Sequence, residues 1–299
     1  MGTLAIMSDL HVDINKINEH ELKELIQILH QKKVTRLHLA GDTANSMAVV
    51  LRTLEILETG NFTVTFNFGN HEMPDVASPE EIEAYSHPNF LNLETVNLRE
   101  DLVLLGVNGW YDYSFSTEAN HEKIVSAKNL YWYDRRIERG QSDPKVMATI
   151  LEELSLLLTD LGKQQKDVIL ATHFVPQQAF IHYHQGKYMR WNQINAFLGS
   201  QSMGDLISTH PHVKEVVFGH THRRFDSRLI EGTRYSARPF GYFYEWQLTR
   251  DFMLDNQLMT QFNPSKVRKL LRDHQESFDI YRKEHFQEEF LKSLTLIEY

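Results

Sequence analysis

Short apolar runs, each followed by a cluster of glycine, aspartate, asparagine or histidine, recur along the chain. This recurrence constrains the fold more than any other feature. Thr3 to Met7 precedes Asp9-Leu10-His11, Thr35 to Leu39 precedes Gly41-Asp42, and Phe62 to Phe68 precedes Gly69-Asn70-His71-Glu72. Asp167 to Thr172 precedes His173, and Val213 to Phe218 precedes Gly219-His220-Thr221-His222. Runs this short and this apolar suit strands of a parallel sheet buried on both faces. Between them Glu19 to Gln31 carries Leu22, Leu25, Ile26 and Leu29 at helical spacing, and Met47 to Leu57 reads as a second helix. The alternation predicts βαβ units and a layered α/β domain. In open α/β sheets ligands bind beyond the carboxyl ends of the strands, so clusters far apart in sequence can converge on one sheet edge.

The rest of the chain is less regular. Leu102 to Val107 reads as a strand, and Gly109 to Gly140, rich in aromatic and charged residues, resists assignment. Asp143-Pro144 reads as an N-cap with proline at the first helical position. A stripe of Val146, Ile150, Leu154, Leu157, Leu158 and Leu161 follows and stops at Gly162. Phe174 to His212 is too long for a plain connection. Glu231-Gly232 lies between two strand-like runs in Arg224 to Tyr235 and predicts a hairpin. From Asn263-Pro264 onward Val267, Leu270, Leu271, Phe278 and Tyr281 keep helical spacing, so residues 250–299 read as mostly helical.

With 299 residues the chain is ample for a buried core, and its formal charge of −9 argues against a large nucleic-acid or anionic-membrane footprint. There is no cysteine, which excludes disulfides and thiolate metal sites; any metal must be held by imidazole, carboxylate or amide groups. No secretory signal is visible, and no apolar stretch approaches the length that spans a bilayer. The expectation is a soluble cytoplasmic protein.

Imidazole and carboxylate bind manganese, iron or zinc, and a shared carboxylate can bridge two ions. The clusters stand in the order D-x-H, G-D, G-N-H-[DE], H and G-H-x-H. In this the sequence resembles the calcineurin-like metallophosphoesterase superfamily, over about three-quarters of the chain, residues 9 to 222.

The resemblance implies two mixed β-sheets flanked by helices. Together with the pattern along the chain it divides the sequence into a phosphoesterase domain over residues 1–249, with a lid insertion as one reading of 174–212, and a helical C-terminal extension at 250–299. It implies two divalent metal ions, manganese foremost, with iron or zinc as alternatives. Asp9, His11 and His222 would bind the first ion, Asn70, His173 and His220 the second, and Asp42 would bridge. His71 would sit over the substrate as the catalytic group. The implied reaction is hydrolysis of a phosphate mono- or diester, a small molecule, by a metal-bridging hydroxide. Two dications less the charges of Asp9 and Asp42 leave about +2, suited to an anionic ester. A nucleotide or cyclic-nucleotide phosphodiesterase is the alternative within the class, and a non-catalytic protein-binding scaffold the alternative outside it. The Ser/Thr protein phosphatases carry an arginine soon after the G-D pair; here Thr43-Ala44-Asn45-Ser46-Met47 follows, which argues against that activity.

Several residues keep two readings. Trp110-Tyr111-Asp112-Tyr113 is an aromatic pocket wall or the packing of an irregular insertion. His182, Tyr183, His184, Lys187, Tyr188, Arg190 and Trp191 belong to a lid over the site or to a solvated surface helix. Glu72 is a hydrogen-bond partner of the site or a local feature. Arg223 and Arg224 contact phosphate or form a solvated turn. His20, His30, His38, His87, His121, His210, His212, His274 and His285 read as structural or solvated.

Overall fold

The computed structural model describes residues 2–299. Strands β1 (Thr3–Met7), β2 (Arg36–Ala40) and β3 (Thr63–Asn67) run parallel, separated by α1 (Glu19–Gln31) and α2 (Met47–Glu58). Two short elements follow, a 3₁₀ turn at Met73–Asp75 and helix α3 (Pro79–Glu83). The second sheet then begins with β4 (Glu94–Arg99) and β5 (Leu102–Val107), an antiparallel pair, and continues into parallel β6 (Asp167–Thr172) and β7 (Val213–Val217). Helices α4 (His121–Tyr131) and α5 (Asp143–Lys163) precede β6, and α6 (Gln201–Ser208) precedes β7. Strands β8 (Phe225–Ile230) and β9 (Thr233–Ala237) complete a six-stranded sheet in the order β4-β5-β6-β7-β9-β8. The expected turn joins them, with both Glu231 and Gly232 at positive φ, as a two-residue primed turn requires.

Side-chain parity shows how the sheets stack. Leu4 and Ile6 of β1, Leu102 and Leu104 of β5, and Ile169 and Ala171 of β6 share one buried cluster between the sheets. Their neighbours Ala5, Met7, Val103, Leu105, Val168 and Leu170 belong to the outer core, which also holds the buried faces of α1, α2 and α5. β1, β5 and β6 are therefore apolar on both faces, which is why their runs carried no polar alternation, whereas β2 and β3 alternate and pair His38 with Thr65 and Asn67 on one face. The result is the expected sandwich of two mixed sheets flanked by helices. No helix among the described residues is long and apolar enough to cross a membrane.

The stretch from residue 250 holds the end of α7 (Gln247–Asp255), then α8 (Pro264–Asp273) and α9 (Gln275–Ser293), as the spacing predicted. It then ends in β10 (Thr295–Glu298), a strand that helical periodicity gave no sign of. β10 pairs antiparallel with β1 and closes the first sheet in the order β10-β1-β2-β3. Asp143 is not the cap of α5: Ser142 holds that position, and the Asp143 carboxylate accepts from Trp110 Nε1 at 2.9 Å and from Lys128 Nζ at 2.7 Å. Trp110 and Tyr111 are fully buried and Tyr113 nearly so. The cluster packs the body of the domain and forms no pocket wall.

Candidate metal centre

The loops after β1, β2, β3, β6 and β7 meet at one edge of the sandwich. They are stitched by backbone bonds: the Asp9 amide donates to the Gly41 carbonyl at 3.0 Å and the His11 amide to that of Asp42 at 2.9 Å. Asp9, His11, Asp42, His220 and His222 all hold positive φ, between 44° and 69°. Five non-glycine residues in the left-handed region mark backbone strain held by the surrounding fold. Of the glycines beside the ligand candidates, only Gly41 has a positive φ. Gly69 and Gly219 serve another purpose: a Cβ there would meet Asp42 Oδ1 at 2.2 Å and Asp9 Oδ2 at 2.1 Å. Their hydrogen side chains let the carboxylates lie against the neighbouring loops.

Two donor groups result. Asp9, His11, Asp42 and His222 each offer one atom within 4.8 Å of the others, and Asp42, His173 and His220 do the same. Asp42 belongs to both. Asn70 joins the second group, with Oδ1 at 3.2 Å from His173 Nε2. His71 belongs to neither.

What lies behind these donors decides which way their lone pairs face. His173 Nδ1 faces the Ala40 carbonyl at 3.2 Å, and His220 Nε2 faces that of Phe197 at 3.1 Å. His222 Nδ1 lies 2.8 Å from Glu245 Oε2. Each outer nitrogen therefore donates, which leaves the inner nitrogen as a lone pair aimed at the centre. Asn70 Nδ2 donates to Asp134 at 2.8 Å, turning its oxygen inward. The inner atoms then crowd: His11 Nε2 and His222 Nε2 lie 3.1 Å apart, as do His173 Nε2 and His220 Nδ1. Lone pairs facing each other at that distance fit a cation placed between them.

The electrostatics agree. Burial works against the charge on Asp9, yet its hydrogen bond to His222 and the charges of His173 and His222 hold it at about 2. Burial likewise works against protonated His173 and His222, but Asp42 raises His173 to about 9, and Asp9 with Glu245 raises His222 to about 10. Burial and His173 press His220 down to about 3. The two carboxylates thus demand positive charge, which divalent ions can supply in place of protons.

Glu72 is part of this frame. Its buried carboxylate accepts from the backbone amides of Asp42, Thr43, Ala44 and Gly69, tying the β2 loop to the β3 loop. His71 Nδ1 lies 2.7 Å from Asn45 Oδ1, its Nε2 lies 3.1 Å from the Tyr242 hydroxyl, and its ring stacks on Tyr133 at 4.1 Å. Asn45, Tyr133, Asp134, Tyr242 and Glu245 were not singled out in the sequence. Asn45 stands three residues beyond Asp42, and its position in a site loop is the one signal it carried. Tyr242 and Glu245 follow the last strand of the sheet and carried none.

A cavity of about 530 Å³ opens beside the donors, lined in part by Asp42, Asn70, His71, Trp132, Tyr133 and Tyr242. Of the long segment after His173, it reaches Phe180, His182, His184, Ile194, Asn195 and Leu198. Lys187, Tyr188, Arg190 and Trp191 face solvent, the cations lying over their neighbours' rings at 5.1 and 5.3 Å. Arg223 lines the cavity, whereas Arg224 turns away to Glu289 at 2.6 Å. A larger hollow of about 730 Å³ between α1 and α8–α9 holds none of these donors.

The family model described as calcineurin-like phosphoesterase matches residues 2–224. No match was found among curated protein sequences. Among solved structures, a phosphopantetheinyl hydrolase from Mycobacterium tuberculosis superposes with a TM-score of 0.61 at 18% identity, covering 82% of this chain and 92% of its own. A dimetal phosphatase from Danio rerio gives 0.50 at 13% identity, covering 80% of this chain and 87% of its own. At these identities the likeness is one of fold. The chain belongs to the calcineurin-like phosphoesterase family and is a metal-dependent phosphoester hydrolase.

Proposed function

We propose that the protein hydrolyses a phosphate mono- or diester of a small molecule at a dinuclear centre. Asp9, His11 and His222 would hold one ion, Asn70, His173 and His220 the other, and Asp42 both. The observation that carries this reading is the set of outer hydrogen bonds that turn the inner atoms of Asn70, His173, His220 and His222 toward Asp42. A scaffold without chemistry has no need of donors oriented this way. A donor set of imidazole and oxygen without thiolate suits manganese, with iron or zinc as substitutes.

When bound, two such ions supply Lewis acidity at phosphoryl oxygen and acidify water to a nucleophile at neutral pH. The chain's own groups do the rest. His71 is oriented through Nδ1 by Asn45, so its Nε2 faces the pocket, and in the imidazolium form that nitrogen would deliver its proton to the departing oxygen. Tyr242 lies edge-on to the His222 ring at 4.3 Å and 4.5 Å from that of His11, and its hydroxyl holds Nε2 of His71 until substrate displaces it. The part of segment 174–212 that reaches the cavity would select the group beyond phosphorus. Tyr131 and Trp132 also line that cavity beside Tyr133 and bring aromatic surface to it, which favours a nucleotide diester as the second reading. The test is hydrolysis of p-nitrophenyl phosphate and bis-p-nitrophenyl phosphate by chelated protein before and after manganese is restored. Activity that returns with the metal is expected. No hydrolysis of either ester by metal-loaded protein overturns the reading.

A further inference from the structure

Residues 181–185 run without helix or strand, and their side chains separate. Tyr183 donates its hydroxyl to the Phe115 carbonyl at 3.0 Å, anchoring the segment to the body. His182 and His184 line the cavity, their rings edge to face at 4.6 Å. Their backbone is clamped. Asn192 exchanges two hydrogen bonds with His184, at 2.7 and 3.0 Å, and Asn195 donates to the His182 carbonyl at 3.2 Å. Both asparagines are buried. Arg223 lines the same cavity, placed there by the metal-ligand candidate before it. Burial first, then His182 and Arg223, depress the basicity of His184, so the three groups share one field.

No acid answers them. Among the described residues, the rings of His182 and His184 and the Arg223 guanidinium have no hydrogen-bond partner and no ion pair, although the chain is net acidic. The acids that line the cavity are committed elsewhere, Asp42 to the donor groups and Glu245 to His222. Neighbouring Arg224 shows the contrast: it is neutralised by Glu289. A guanidinium and two imidazoles lining one cavity match a phosphate, which accepts from several directions. A substrate with one phosphate would spend it at the metal centre and leave this wall unanswered.

We propose that Arg223, His182 and His184 form a second anion subsite, and that the substrate is a phosphoester bearing another phosphate on the group beyond the scissile bond. This rests on the function proposed above, and binding separates the two. The manganese-loaded protein is titrated calorimetrically with α,ω-alkanediol bisphosphates of increasing chain length, with the matching alkyl monophosphates, and with ω-carboxyalkyl phosphates. At one chain length the bisphosphate binds at least about tenfold tighter than the monophosphate, and tighter than the carboxylate analogue. The ratio falls to about one to two in Arg223→Gln and in the His182→Gln/His184→Gln double variant. Lys187→Gln, a cation on the same segment whose ammonium lies over Tyr188, keeps the full ratio. No preference at any length, or a preference that survives Arg223→Gln, overturns the subsite whether or not the chromogenic esters are hydrolysed. A tighter carboxylate analogue overturns the assignment to phosphate.

Discussion

His71 Nδ1 points at the side-chain oxygen of Asn45, 2.7 Å away, and that oxygen can only accept. Asp13 settles which end of the amide faces His71: Asn45 donates to it from both its side-chain and backbone nitrogens, at 2.9 and 3.0 Å. Nδ1 therefore keeps its proton in both charge states of the ring, and Nε2, facing the pocket, is the nitrogen that would take up the second proton and pass it to the leaving group. His71→Ala should keep its metals by elemental analysis and lose about 10²–10⁴ in turnover. The loss should shrink as the leaving group becomes more acidic. Asn45→Leu should lose roughly 10–100-fold, since it frees the ring without removing it. A His71→Ala protein stripped of metal would show that the residue is a ligand.

Asp42 is the one side chain in both donor groups. Asp42→Asn removes a charge from each, so metal content should fall well below two ions per chain and turnover should vanish. Metal analysis and p-nitrophenyl ester kinetics on the same preparation check this. Full activity in the variant would end the dinuclear model.

His38 lies in β2 with both ring nitrogens bonded, to Thr65 Oγ1 at 3.0 Å and Asn67 Oδ1 at 2.9 Å. Burial holds its pKa at about 4, against an ordinary value of 6.5. Above pH 6.5 the ring is neutral whether the chain is folded or not, and its stability contribution is whole. As pH falls from 6.5 towards 4, the unfolded chain takes up a proton that the folded protein refuses. Stability should drop by up to about 3 kcal/mol over that window and then level off. Urea unfolding of wild type and His38→Gln at pH 7 and pH 5 measures the difference; equal acid sensitivity in both would exclude His38 as the cause.

Asp143 takes bonds from Trp110, Tyr113 and Lys128 inside the body of the domain. Asp143→Ala would leave the Lys128 ammonium buried without its partner, a cost of about 3–5 kcal/mol. The melting temperature should fall sharply while KM of the folded fraction stays unchanged, because the cavity does not include these residues. A change in KM at constant stability would return Trp110 and its neighbours to the substrate wall.

Deleting residues 295–299 uncovers the edge of β1, the strand that leads into Asp9 and His11. The truncated protein should be less stable and aggregate on standing, because a bare strand edge pairs with other chains. Light scattering and thermal unfolding test this, and a truncated protein with unaltered size and stability would mean that α9 alone protects the edge.

The sequence by itself determined the layered fold and the candidate donors. Each donor lies just after a strand, so local order along the chain carries the information: an apolar run, a tight turn, then a side chain able to bind metal. Parity along Leu102 to Val107 or Asp167 to Thr172 needed no knowledge of the partner sheet, only that both faces are buried. What surrounds the donors was decided by tertiary structure alone. Tyr242 reaches His71 across 171 residues, Glu245 reaches His222 from the loop after the last strand of the sheet, and Asp134 reaches Asn70 from a stretch that resisted assignment. A tyrosine or a glutamate has no pattern of its own, and its role arises when another loop arrives beside it. The same holds for Trp110, whose aromatic cluster suits a pocket wall as well as a core until Asp143 and Lys128 enclose it. It holds for β10 too, whose few residues carry no periodicity and become a strand because β1 offers them an unpaired edge.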